Sequence, residues 1–245
     1  MNLLGNPNDF NKIQDLSKGK NIILLEDNCE SMGAKVEDKF AGTFGKMGTF
    51  STFFSHHIAT MEGGVVVTDD EELHHLLLVL RAHGWTRNLP KTNELTPISD
   101  NKFIESFRFI LPGYNLRPVE MSGAIGIEQL KKLPGFVEQR RANAATFVQE
   151  FKDHPYLMIQ KEVGTSSWFG FSLIIKEGSS QTRSGLINKL EQNNVTTRPI
   201  VAGNFTKNDV LKHFDYEIHK GVPNAEHMDN NGFFIGNHQE DLTVE

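Results

Sequence analysis

Met47-Gly48-Thr49-Phe50-Ser51-Thr52-Phe53-Phe54-Ser55-His56-His57-Ile58 runs on through Thr60-Met61-Glu62-Gly63-Gly64 into Val65-Val66-Val67. Residues 49–54 and 65–68 read as two strands, and the loop between them carries a histidine pair and a Gly-Gly turn. Upstream, the apolar run Ile22-Ile23-Leu24-Leu25 predicts a strand buried on both faces, ending in Glu26-Asp27. Acids at that point lie at the carboxyl edge of a sheet, where open α/β folds place ligands.

The neighbouring segments supply helices. Asn8-Asp9 can cap a short helix carrying Phe10, Ile13 and Leu16, with Gly19 as its stop. After Asp69-Asp70, the spacing of Leu73, Leu76, Leu77 and Leu80 predicts a helix with one buried stripe ending before Gly84. Strands alternating with helices give an α/β class. Residues 85–112 are polar and broken by Pro90, Pro97 and Pro112, so they read as a long excursion. Pro118 predicts a helix to about Lys132, and Pro134 opens a second one whose face is Ala144, Phe147, Val148 and Phe151. An extended segment over 168–175, a helix over 182–191 and a strand over 196–198 complete a smaller α+β domain. The expected division is 1–133 and 134–245.

Composition narrows the function. With 245 residues, 38% hydrophobic and 23% charged, the chain can bury a sizeable core. A net charge of −6 argues against a general polyanion-binding surface, so no nucleic-acid partner is expected. One cysteine, Cys29, excludes an intrachain disulfide framework and suits a reducing compartment. No 18-residue apolar run and no basic-apolar leader occur, so cytoplasmic residence without membrane contact is the default.

Several residues can carry chemistry. Histidine exchanges a proton near neutrality, which makes His56 and His57 candidates for acid-base work. Adjacent side chains in an extended loop diverge and no Cys/His cluster accompanies them, so no metal site is expected. Asp27 is either a strand-end acid capping a helix or a ligand group. By themselves Arg87 reads as a surface arginine and Asn115 as a turn residue. Arg198 suits a diphosphate or a carboxylate, though a structural ion pair has the same signature.

These motifs together resemble the DegT-type sugar aminotransferases, which use pyridoxal phosphate. The resemblance rests on Asp27-Asn28-Cys29-Glu30-Ser31-Met32-Gly33-Ala34, on the segment from Gly45 to Gly64, on Arg81-Ala82-His83-Gly84-Trp85-Thr86-Arg87 and on Gly113-Tyr114-Asn115-Leu116-Arg117-Pro118. It extends to Thr197-Arg198-Pro199 and to Gly232 through His238. It implies an aspartate-aminotransferase-like (fold type I) large domain. His56 stands in the column where that family has its cofactor lysine. An imidazole has no primary amine and cannot hold the cofactor as a Schiff base, so noncovalent binding of pyridoxal or pyridoxamine phosphate is implied. Loss of the amine with retention of a proton carrier is the pattern of the ColD-like branch, the GDP-4-keto-6-deoxymannose 3-dehydratases. Another histidine-bearing relative relays electrons through an iron-sulfur cluster, and a single cysteine is too few for that.

Carried over residue by residue, the resemblance makes His56 the catalytic base. Asp27 would pair with the pyridine nitrogen, Glu30 would lie near the ring, Ser51 at the phosphate, and Asn115 at the phosphate of a neighbouring subunit. His57, Arg87 and Arg198 would face substrate. The implied partners are a nucleotide-linked 4-keto-6-deoxy sugar of O-antigen (lipopolysaccharide) biosynthesis, L-glutamate as amino donor and a second copy in a homodimer. The family extends upstream of the segment at Met1 and beyond Glu245, so the large domain is expected to be incomplete. Two other functions stay open: an aminotransferase using another lysine, Lys46 being nearest, and a noncatalytic cofactor-fold subunit.

Overall fold

The Asp9 side chain accepts the Lys12 amide at 3.0 Å and starts helix α1 (Phe10–Ser17), after which Gly19 turns the chain at φ +73°. The computed structural model describes residues 1–242. Strand β1 (Leu25–Asp27) comes next, then a small hairpin of β2 (Lys35–Val36) and β3 (Lys39–Phe40), then β4 (Met47–Ser51) and β5 (Gly64–Val67). Strands β1, β4 and β5 form a three-stranded sheet in that order, with β1 and β4 parallel and β4 and β5 antiparallel. Helix α2 (Glu71–Leu80) begins at Asp70, whose carboxylate accepts the Leu73 amide at 2.9 Å. The 85–112 excursion is mostly irregular, with a 3-10 turn at Thr86–Asn88 and one α-helical turn, α3 (Lys102–Glu105).

Helix α4 (Glu120–Phe151) leads to the second sheet. That sheet combines β6 (Leu157–Ile159), β7 (Gly170–Ile175), β8 (Thr197–Arg198) and β9 (Gly232–Gly236), with α5 (Arg183–Gln192) and α6 (Pro223–Asn231) on the connections. Its order is β6-β7-β9-β8 and every pairing is antiparallel. The largest core lies here, where Ala144 and Phe147 of α4 pack on Trp168, Phe171, Leu173, Ile175 and Phe233, with Leu186, Ile187 and Leu190 of α5 alongside. The expected face of α4 and the mixed α+β pattern are both present.

Three expectations need correction. The Ile22 to Leu25 run is not a doubly buried strand: pairing begins only at Leu25, and Ile22 and Ile23 are exposed. Side chains along β1 alternate between two faces, and only the face carrying Glu26 is covered. On α2 the most buried residues are His75 and Val79, with the four leucines half-buried, because the excursion folds over the helix and the Glu94 amide reaches His75 Nδ1 at 3.3 Å. The two helices expected on either side of residue 133 are one helix of 32 residues with Pro134 inside it. Pro134 sits on an exposed stretch where water can take the Leu130 carbonyl left without its N–H, so the proline is tolerated.

Alternation along β1 sets the directions of its two acids. Glu26 points inward and is buried, and Asp27 points outward and is exposed. The Glu26 carboxylate accepts three backbone N–H groups of one loop: those of Gly42 and Gly45 at 2.6 Å each, and that of Phe44. Gly42 has φ +96°, and a Cβ there would stand 2.4 Å from the Phe50 ring, so the loop can close on the carboxylate only with glycine. Glu26→Ala leaves one buried and two partly buried donors without an acceptor and should lower unfolding free energy by about 3 kcal/mol in urea titrations. Glu26→Gln, which keeps one acceptor oxygen, should cost less.

Candidate active site

Parallel pairing of β1 with β4 places Asp27 opposite Thr49 and brings the ends of both strands to one edge of the sheet. Asp27 Oδ1 accepts the Cys29 amide at 3.0 Å. The chain then leaves β4 through a loop whose neck is closed by Thr52 and Thr60. Their hydroxyls lie 2.6 Å apart, Thr60 N–H donates to the Thr52 carbonyl at 2.8 Å, and both residues are buried. A loop with a fixed neck can hold a side chain in one place, and this loop holds His56.

His56 Nδ1 is 2.6 Å from the Ser51 hydroxyl, which also accepts the Phe53 amide at 3.2 Å. The imidazole lies against the rings of Phe53 and Phe169, with centroids 5.8 and 5.4 Å away. Partial burial lowers its pKa from 6.5, and the negative charge of Asp27 opposes that shift. At neutral pH His56 is therefore an uncharged imidazole with a lone pair to offer, and Asp27 is the carboxylate whose charge it feels.

His57 diverges from its neighbour, as expected of adjacent loop residues. It is buried against Phe169, with Nε2 3.4 Å from the Ser167 carbonyl. Burial first, then the nearby Arg140 charge, pushes its pKa down to about 3. It supports the site from below. Arg140 itself is buried, bonded to the carbonyls of Asn237 and Phe169 (the latter at 3.3 Å), and its guanidinium carbon lies 5.8 Å from the Phe169 ring. Phe169 is thus gripped by α4 and touched by both histidines.

Glu30 is buried, and its Oε2 accepts the Leu4 amide at 2.8 Å. Desolvation raises its pKa against that hydrogen bond, and Asp27 raises it further. Asp27, Glu30, Ser51 and His56 are therefore brought to one neighbourhood. Arg87, Asn115 and Arg198 are exposed and lie elsewhere on the chain. Arg87 covers the Trp85 ring at 4.9 Å and lines an open cavity of about 430 Å³ with Lys102 and Phe107. Asn115 is bridged through its backbone to Ala82, and Arg198 pairs in register with Phe234. Sequence reasoning assigned no role to Phe169, Arg140, the Thr52-Thr60 neck or Cys29. The Phe169 position has no local motif, and only its place in the folded chain marks it.

The model of the DegT/DnrJ/EryC1/StrS aminotransferase family matches residues 1–243. The chain belongs to that family. It is 64% identical over 244 residues to the GDP-4-keto-6-deoxy-D-mannose 3-dehydratase of Escherichia coli O55:H7, covering 99% of this chain and 63% of that protein. It thus spans somewhat under two thirds of that relative's length. The structure of the E. coli GDP-4-keto-6-deoxy-D-mannose-3-dehydratase with bound hydrated PLP matches with TM-score 0.97 and 64% identity, over 99% of this chain and 63% of that one. A doubly substituted ColD, in which a neighbouring serine and histidine are replaced by asparagine and lysine, matches with TM-score 0.97 and 63% identity over 98% of this chain and 64% of its own. The α/β fold is that of the family's fold type I enzymes.

The residues present fit the family's cofactor in a noncovalent form. An outward carboxylate at a strand end suits a protonated ring nitrogen, and a hydroxyl at the end of the adjacent strand suits a phosphate. No lysine takes part. Lys46 pairs with Asp70 at the far end of β4, roughly 16 Å of extended chain from Ser51. Among the described residues no group of three or more His, Cys, Asp or Glu side chains could hold a metal, and no helix is long and apolar enough to cross a membrane.

Two measurements test the electrostatics. Folded His57 stays neutral down to about pH 3, whereas in the unfolded chain it protonates near 6.5. The unfolded state therefore binds more protons in that window, and stability drops as pH falls through it. His57→Gln should flatten the slope of stability against pH there by about one proton. Burial first, then the Asp27 carboxylate, pushes the Cys29 thiol up to about 12. Iodoacetamide at pH 8 should alkylate Cys29 on the order of a hundredfold more slowly in the folded protein than in urea.

Proposed function

We propose that the protein containing this chain is a pyridoxamine/pyridoxal phosphate-dependent 3-dehydratase, a lyase acting on GDP-4-keto-6-deoxymannose. The observation that carries this reading is the seat of His56: an uncharged imidazole, bonded to Ser51 and facing the charge of Asp27, where the family has its lysine. Ser55-His56 is also the one Ser-His dipeptide in the chain, which fits the adjacent serine and histidine altered in the substituted ColD.

When bound, the cofactor supplies an amine to condense with the C4 ketone and a ring that spreads developing negative charge. Asp27 would hold the protonated ring nitrogen and Ser51 the phosphate. His56 Nε2, the ring nitrogen free of Ser51, would take up the proton released from carbon in the reaction and give it to the C3 hydroxyl, which leaves as water. Phe53 and Phe169 pack against the imidazole edge-on and tilted, and partly cover it. Glu30, whose Oε2 accepts the Leu4 amide, would lie near the cofactor ring. Without a lysine, no side chain of this cluster captures the aldehyde form, which favours elimination over completed transamination.

L-glutamate would restore the amine form. The reading extends to a homodimer in which Asn115 reaches the partner's phosphate, and to Arg87 and Arg198 as contacts for the diphosphate or a carboxylate. Their exposure within one chain suits groups completed by a second copy. With a 3-deoxy ketosugar as product, the reading makes this a step of deoxysugar and O-antigen biosynthesis carried out in the cytoplasm.

Given pyridoxamine phosphate, L-glutamate and GDP-4-keto-6-deoxymannose, the protein should yield a product lacking the C3 oxygen by mass spectrometry. His56→Asn should still bind the cofactor while turnover falls by about 10²- to 10⁴-fold. A product carrying an amine at C4 with its C3 oxygen intact would make the protein an aminotransferase. No turnover in the wild type would favour a noncatalytic subunit.

A further inference from the structure

Two hydrogen bonds meet at the Ser51 hydroxyl. The Phe53 amide can only donate, so at 3.2 Å it occupies one lone pair of the oxygen. A hydroxyl has one proton and two lone pairs, which leaves one lone pair and the proton to share between His56 Nδ1, at 2.6 Å, and any third partner. Either the hydroxyl donates to Nδ1, and the imidazole proton sits on Nε2. Or Nδ1–H donates to the oxygen, the hydroxyl proton is released for the third partner, and the lone pair of the ring lies on Nε2.

A phosphate ester only accepts hydrogen bonds, so as third partner it selects the second arrangement. We propose that Ser51 is a positioning residue that couples occupation of the phosphate subsite to the tautomer of His56. A phosphate on the Ser51 hydroxyl fixes Nδ1–H and presents Nε2 as the base; an unengaged Ser51 leaves the ring free to adopt the inactive tautomer. The coupling rests on the dehydratase reading, in which the phosphate is the cofactor's.

The surroundings of His56 leave this choice to Ser51. Among the described residues, Ser51 is the only group hydrogen-bonded to the ring. Phe53 and Phe169 present carbon to it, and the neighbouring His57 is neutral and aimed at Ser167. Asp27 is the one charge acting to hold a proton on the ring, and it is not hydrogen-bonded to either nitrogen. Ser51 is itself fixed, since its backbone pairs with Gly64 at the end of β4. The coupling therefore needs no movement of the chain: the hydroxyl proton reorients, and the ring loses its proton to water at Nε2 and gains one from water at Nδ1.

The test is ¹⁵N NMR of histidine-labelled protein at pH 8, with His56 signals assigned by their loss in His56→Asn. Adding pyridoxamine 5′-phosphate should move His56 to the Nδ1–H pattern, and pyridoxamine without phosphate should not. In Ser51→Ala the cofactor should bind more weakly, by its absorbance, and at saturation the tautomer should no longer respond. Ser51→Thr, which restores a hydroxyl, should restore the response. The turnover number of Ser51→Ala should fall roughly 10- to 100-fold, less than that of His56→Asn. An Nε2–H ring with the phosphate ester bound, an equal shift with pyridoxamine alone, or an unchanged response in Ser51→Ala overturns the coupling while leaving the dehydratase reading intact. Failure of pyridoxamine 5′-phosphate to bind the wild type overturns both.

Discussion

A buried carboxylate with three amide donors governs the geometry of this molecule. Glu26 turns inward to take the N–H groups of Gly42, Phe44 and Gly45, and because strand side chains alternate, the next residue must turn outward. Asp27 is outward for that reason. Shifting β1 by one residue would bury Asp27 and expose Glu26, exchanging the two roles. The hydrogen bonds that close the 42–45 loop thus also fix which acid faces His56.

The site is assembled at the junction of the two sheets. One wall is the edge of the first sheet, with Asp27 and Ser51. The other is Phe169, which leads into β7 and is clamped by Arg140 from α4. Burial does opposite work on the two histidines. His57 is deep enough to stay neutral down to about pH 3 and serves as packing with a hydrogen bond, whereas His56 is only partly covered, and the charge of Asp27 opposes the lowering that burial causes. Adjacent identical residues acquire different functions because one ring is half-covered and bonded to Ser51 while the other is buried against the Ser167 carbonyl.

Much of this was written in local sequence. Asp9, Asp70 and Thr182 cap the helices that their positions forecast, and the strand, histidine loop, Gly-Gly turn and second strand occur in that order. Spacing placed Ser51 five residues before His56, and the folded chain brings them into contact. What local pattern misses is set by partners distant in the chain. Ile22 and Ile23 look like core but have no second strand beside them, the leucine stripe of α2 gives way to His75 because residues 85–112 fold over the helix, and Pro134 reads as a helix start although the helix continues through it. Phe169 and Arg140 carry no motif at all. They matter because residues 113 and 84 positions away from His56 are folded against it or its support.

The uninterrupted helix α4 has a mechanical meaning. At 32 residues it is a rod about 48 Å long. Before Pro134, Gln129 accepts the Ala59 amide at 3.2 Å and so steadies the histidine loop, while beyond it Arg140 holds the Phe169 carbonyl. The proline, the point in the rod that lacks a backbone hydrogen bond, lies between the two grips. Flexure there would work like the pivot of tongs, opening or closing both jaws on the imidazole in a single stroke.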